Sequence, residues 1–145
     1  MQNTNIEAQN NNIQATNYKQ YTNINTHKNP SKPFDLEERT SEYAISVIRL
    51  CKKLPVNTIN IQLISQLMRS AGSVGANYRE ANEALSKKDF IHRMRITRKE
   101  AKESSYWLGL VKEANSSYIA EIEHIYKESR ELRNIFSSIL NKSIA

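Results

Sequence analysis

Apolar positions recur every three or four residues along four stretches of the chain, and polar punctuation separates the stretches. The first follows Asp35, with Glu38 three positions on, in the arrangement that satisfies two free backbone donors at a helix start. Its stripe is Leu36, Tyr43, Val47, Leu50 and Leu54, and Pro55 ends it, because proline donates no amide hydrogen and crowds the preceding turn. A second helix is predicted to begin after Thr58 and to run through Ile64, Leu67, Ala71, Val74, Tyr78 and Leu85. Ser86 caps a third, with Asp89 at the box position and a stripe of Phe90, Met94, Thr97, Ala101, Ser104, Leu108 and Val111. After a break at Asn115-Ser116-Ser117, the fourth carries Ile122, Ile125, Ser129, Leu132, Phe136 and Ile139. No stretch sustains the two-residue alternation of a strand. Four amphipathic helices on short links predict an all-α, up-down-up-down antiparallel four-helix bundle over residues 34–142.

Residues 1–33 are different in kind. Asn, Gln and Thr dominate, with Ile and Tyr at no fixed period, so the segment cannot bury enough apolar area to offset its ordering cost. A disordered Asn-rich tail is expected there, closed by Pro30 and Pro33. Met1 to Asn12 has neither a basic start nor an apolar run, so no secretory leader is expected. Nor does any run reach the length of uninterrupted apolar residues that a membrane span needs.

Composition changes the picture in two places. The 145 residues hold three glycines and three prolines, few for an all-β fold, and a single cysteine, Cys51, which excludes an intrachain disulfide and a cysteine-based zinc cluster. With 21 basic and 15 acidic groups the formal charge is +6. A soluble, cytoplasmic, helical protein with a positive surplus is expected.

That surplus concentrates on the third helix. Phe90, Met94, Thr97, Ala101 and Leu108 share one side, whereas Lys88, His92, Arg95, Lys99 and Lys102 fall on the opposite side, with Lys87 and Arg98 at its margin. Cations at one-turn intervals can meet successive phosphates of a nucleic-acid backbone. A merely solvated helix face is the plain alternative. Further along, the outward side turns apolar: Tyr106 and Leu110 project near the direction of Lys99 and Lys102, with Ile96 and Trp107 on the flank. A bundle needs one apolar stripe per helix, so this second one points to an oligomer interface.

Other polar residues look structural. Arg93 leans toward the core side and is expected to pair with Glu100 or with Glu80, since an isolated buried ion is very costly. Gly72 and Gly75 inside the second helix imply either a close helix approach or a bend. A di-metal carboxylate site would need Glu-x-x-His motifs facing inward. Glu121 with His124 and Asp89 with His92 fail that test, as His92 lies on the basic side and His124 off the apolar stripe. Cys51 reads as a small apolar filler, with no histidine base nearby in sequence. No catalytic residue, metal or cofactor is expected.

The stretch Ser73-Val74-Gly75-Ala76-Asn77-Tyr78-Arg79-Glu80-Ala81 comes first in a series of four motifs. It is followed by Lys87-Lys88-Asp89-Phe90, Lys99-Glu100-Ala101-Lys102-Glu103-Ser104 and Tyr106-Trp107-Leu108. In that order and spacing the series resembles the bacterial four-helix-bundle family of 23S rRNA intervening-sequence proteins, over roughly residues 35 to 141. Many relatives carry proline where this chain has Gly75 and glycine near Ala81. The resemblance implies a homopentamer. It also implies similarity to the accessory variability protein of diversity-generating retroelements, a basic pentamer that works with a reverse transcriptase and nucleic acid. Asn77, Glu80 and Glu100 match family positions and, with Arg93, are expected to form a polar packing cluster. The function expected is a non-enzymatic homo-oligomer that binds RNA or DNA through Lys88, Arg95, Arg98, Lys99 and Lys102, the alternative being a scaffold whose basic face meets an acidic protein.

Overall fold

A computed structural model describes residues 35–145, and the expected tail over residues 1–33 lies outside the described residues. The chain forms α1 (Leu36–Lys53), α2 (Thr58–Asn82), α3 (Lys87–Ala114) and α4 (Ile119–Ile144), with a 3-10 turn over Ser116–Tyr118 leading into α4. Among the described residues there is no strand, and no helix is long and apolar enough to cross a membrane.

Three of the helix starts are capped by short polar side chains, which take up backbone donors that the first turn leaves free. Asp35 accepts from the amides of Glu37 and Glu38 at 2.8 and 3.3 Å. Asn57 accepts from Asn60 N at 2.8 Å, so α2 starts at Thr58 itself, one residue earlier than predicted. Ser86 accepts from Asp89 N at 3.1 Å. α4 has no side-chain cap and is entered through the 3-10 turn instead.

Cross-helix pairs fix the topology. Arg39 and Lys53 on α1 meet Glu128 and Glu121 on α4, so residue numbers rise along one helix as they fall along the other. Arg69 on α2 meets Glu100 and Glu103 on α3, Lys112 on α3 meets Glu123 on α4, and Asn82 on α2 meets Glu37 on α1. All four neighbouring pairs are therefore antiparallel, and the fold is an up-down-up-down four-helix bundle. The α2–α3 and α3–α4 faces are extensive and the α1–α4 contact is slight.

The predicted stripes fill the core. Tyr43, Val47 and Leu50, Leu67 and Val74, Met94 and Leu108, and Ile122, Leu132 and Phe136 are all buried, each contributing about 1.5–3 kcal/mol on removal from water. Two members of the α2 stripe depart from it. Ile64 is only partly buried, and Leu85 is 85 % exposed because α2 stops at Asn82 and the link to α3 carries Leu85 outside the helical period.

The close-approach reading of the α2 glycines holds at one of them. A Cβ on Gly75 would lie 3.1 Å from Thr40 Oγ1 on α1 and 3.1 Å from an Arg79 guanidinium nitrogen, whereas one on Gly72 would meet open space. Buried hydroxyls also bridge helices. Tyr43 donates to Ser104 at 2.7 Å, and Ser105 and Ser129 lie 2.7 Å apart. Burial pushes the Tyr43 phenol up to about 12, against the lowering effect of its serine partners.

Candidate nucleic-acid interface

The outward ridge of α3 is built by the same periodicity that buries its other side. With Met94, Thr97, Ala101 and Leu108 turned inward, Arg95, Lys99 and Lys102 are exposed, as is Lys88 a turn or two earlier, while Arg98 is partly buried at the margin. At 1.5 Å per residue, Arg95 to Lys102 covers about 10 Å of helix, two turns with a cation on each.

These cations differ in their pairing from several others on the bundle. Arg39 is held bidentately by Glu128 and also by Glu131, Lys53 by Glu121, Arg69 by Glu100 and Glu103, and Lys112 by Glu123. Among the described residues, Lys88, Arg95, Arg98, Lys99 and Lys102 have no acidic partner within ion-pair distance. Their charge is not neutralised internally, so it is available to an anion from outside.

Packing against α4 adds a fifth lining cation. Arg95, Arg98, Lys99 and Lys102 share a groove of about 400 Å³ with Arg133 and Ser137 of α4. Among the described residues, Arg133 donates one hydrogen bond, to the neighbouring Asn134 at 3.3 Å. Spacing along the chain offers no hint of this recruit, since its place beside α3 depends on how the two helices are rotated against each other.

The four residues expected at an oligomer interface divide into two pairs. Tyr106 is 60 % exposed and Leu110 37 %, both outward on the line of Lys99 and Lys102. Ile96 and Trp107 are partly buried, and Trp107 packs against the core. Its indole donates to Glu103 at 3.2 Å, and its ring meets that of Tyr106 edge to face at 5.0 Å. Four more exposed apolar residues, Val56, Ile59, Ile61 and Ile119, lie at the same end of the bundle as Leu110, where the α1–α2 and α3–α4 links meet.

The expected polar cluster is not brought together. Asn77 bonds within its own helix, donating to Ser73 O at 2.9 Å, and Glu80 is exposed. Arg93 reaches neither Glu80 nor Glu100; it stays on α3 with Asp89 at 4.0 Å, its side chain 38 % exposed. Glu100, only 8 % exposed, is held instead by Arg69 of α2 at 3.3 Å. The buried charge is thus a carboxylate with its partner on the neighbouring helix.

The remaining reactive groups are dispersed. His92 and His124 are exposed, and among the described residues no group of three or more His, Cys, Asp or Glu could hold a metal ion. Cys51 is partly buried, and burial pushes its thiol up to about 11. A second surface hollow, on α4 around His124, Lys127, Arg130 and Glu131, carries both signs of charge.

Residues 33–138 match the model of the 23S rRNA-intervening sequence protein family. Among solved structures, the chain is similar to a protein of unknown function from the S23 ribosomal protein family of Bacteroides thetaiotaomicron. The two share 34 % identity over 73 % of this chain and 98 % of that one, with a TM-score of 0.64. No curated protein matches the chain.

Proposed function

The chain belongs to the family of 23S rRNA-intervening sequence proteins, and from that premise we propose that it is a non-enzymatic, basic homo-oligomer that holds RNA or DNA by the backbone phosphates. The observation that carries this reading is a cluster of unpaired charge: Arg95, Arg98, Lys99, Lys102 and Arg133 line one groove with no carboxylate partner among the described residues, whereas Arg39, Lys53, Arg69 and Lys112 are each held by one. Such a ridge follows a phosphate chain by charge, with no base read directly.

Self-association supports the same reading. Exposed Leu110, Ile59, Ile61 and Ile119 at one end of the bundle offer apolar area to a second copy, and the family resemblance implies five. Five copies of a +6 chain would carry about +30, a strong attractor of polyanions. Partnership with a reverse transcriptase is the finer part of the proposal, tested by co-purification of the two.

The deciding experiment is retention of structured RNA on a filter by the wild type and by a variant with Arg95, Lys99 and Lys102 all changed to glutamate. Wild-type retention that falls steeply with salt, and its loss in a variant of unchanged helicity, is the expected result. Salt-insensitive retention, or capture of an acidic protein with no retention of nucleic acid, would contradict it and favour the scaffold reading.

A further inference from the structure

We propose that the basic ridge of α3 takes a single strand in preference to a duplex, because Tyr106 ends the ridge as a platform on which an unpaired base stacks. This rests on the phosphate-binding reading above and specifies its substrate.

Arg95, Lys99, Lys102 and Tyr106 follow one another at spacings of four, three and four residues, so they form a single outward line. Tyr106 stands one helical turn, about 6 Å, beyond the last cation of that line. A strand whose phosphates run along the cations therefore arrives at the ring.

The ring is both open and supported. It is 60 % exposed, the largest exposed aromatic surface among the described residues. Trp107 meets it at 5.0 Å with the planes 67° apart, an edge-to-face contact that covers at most one of the two faces of the Tyr106 ring. Trp107 is itself fixed by its packing on the core and by its bond to Glu103, and Glu103 is gripped by Arg69 of α2. The platform is pre-ordered by a chain of contacts reaching into the bundle, so a base that lands on it finds the ring already restrained.

A duplex cannot use this feature. Its base faces are stacked inside and only their edges reach the grooves, whereas a single strand presents a π-face at every base. Ring stacking is also tolerant of sequence, which suits a site whose other contacts are to phosphate.

The test compares fluorescence anisotropy of a labelled mixed-sequence strand of about 15 nucleotides with that of its annealed duplex. Wild type, Tyr106→Ala and Tyr106→Phe are compared, with assembly mass followed by light scattering. The wild type should bind the strand more tightly than the duplex. Tyr106→Ala should weaken strand binding about tenfold while leaving duplex affinity and salt dependence unchanged, and Tyr106→Phe should retain wild-type affinity. Unchanged strand binding by Tyr106→Ala overturns the proposal, as does an equal loss for both probes or a fall in assembly mass, which would assign the ring to an interface between copies. In each of those cases phosphate binding survives. No binding of either probe by the wild type overturns the phosphate reading and this one together.

Discussion

Asn60 and Asn115 clasp each other through both amides: each Nδ2 donates to the other's Oδ1 at 2.9 Å, at the end of the bundle where the α1–α2 and α3–α4 links meet. Asn60 also donates to Pro55 O and Asn115 to Val111 O, both at 2.8 Å. Both side chains are buried, so removing one leaves the other's amide unsatisfied. Asn60→Ala and Asn115→Ala should each cost about 1–3 kcal/mol, with the double variant losing much less than the sum. Urea denaturation of the three variants measures this; additive losses would mean that the clasp contributes no coupling.

The buried carboxylate of Glu100 should make Arg69, and not Arg93, the sensitive arginine. Arg69→Ala leaves Glu100 without the cation that α2 supplies and should destabilise by about 1–3 kcal/mol, whereas Arg93→Ala removes an exposed pair and should stay within about 0.5 kcal/mol. Thermal unfolding of both variants checks the order. A larger loss from Arg93→Ala would restore the pairing expected from helical spacing.

Alkaline pH should expose Tyr43. Its phenol is pushed from an ordinary 10.0 up to about 12, first by burial, so the fold favours the neutral form. That contribution is complete below the unfolded value and is lost as pH rises through the folded one, between about pH 10 and 12. Stability of the wild type should therefore fall faster across that window than that of Tyr43→Phe, whose neutral-pH stability should be about 1 kcal/mol lower for want of the Ser104 bond. Parallel pH profiles for the two proteins would contradict the assignment.

Cys51 should be a poor nucleophile. Burial lifts its thiol from 9.0 to about 11, which at pH 8 cuts the thiolate fraction about a hundredfold. Alkylation by iodoacetamide should be slower than that of free cysteine by about that factor, and should accelerate as pH approaches 11. Rapid labelling at pH 8 would reopen cysteine chemistry.

The α3 stripe from Phe90 to Val111 could be written down from spacing alone, because one helix period decides which side turns inward whatever the neighbours are. The exposure of Arg95, Lys99 and Lys102 follows from the same arithmetic. What the spacing cannot supply is the rotation of one helix against another. Arg93 and Glu100 share an α3 face on a helical wheel, yet Glu100 is taken by Arg69 because α2 presents that residue at the right height. Arg133 joins the groove for the same kind of reason, as α4 packs it beside α3. Leu85 fails differently: it keeps the period, but the helix has already ended. Trp107 lies close enough to the core side to be drawn against it, which leaves Tyr106 and Leu110 to face outward.

The number of ions displaced when nucleic acid binds tests the unpaired ridge most directly. Affinity for a labelled strand, followed over a series of potassium chloride concentrations, should fall linearly on logarithmic axes, and each phosphate that a variant no longer neutralises should flatten the slope by about one unit. Lys99→Ala is accordingly expected to weaken binding and reduce the slope by about one, whereas Lys53→Ala, whose cation is engaged by Glu121, should leave the slope unchanged. Equal slopes for the wild type and Lys99→Ala, or a shallower slope for Lys53→Ala alone, would contradict the account.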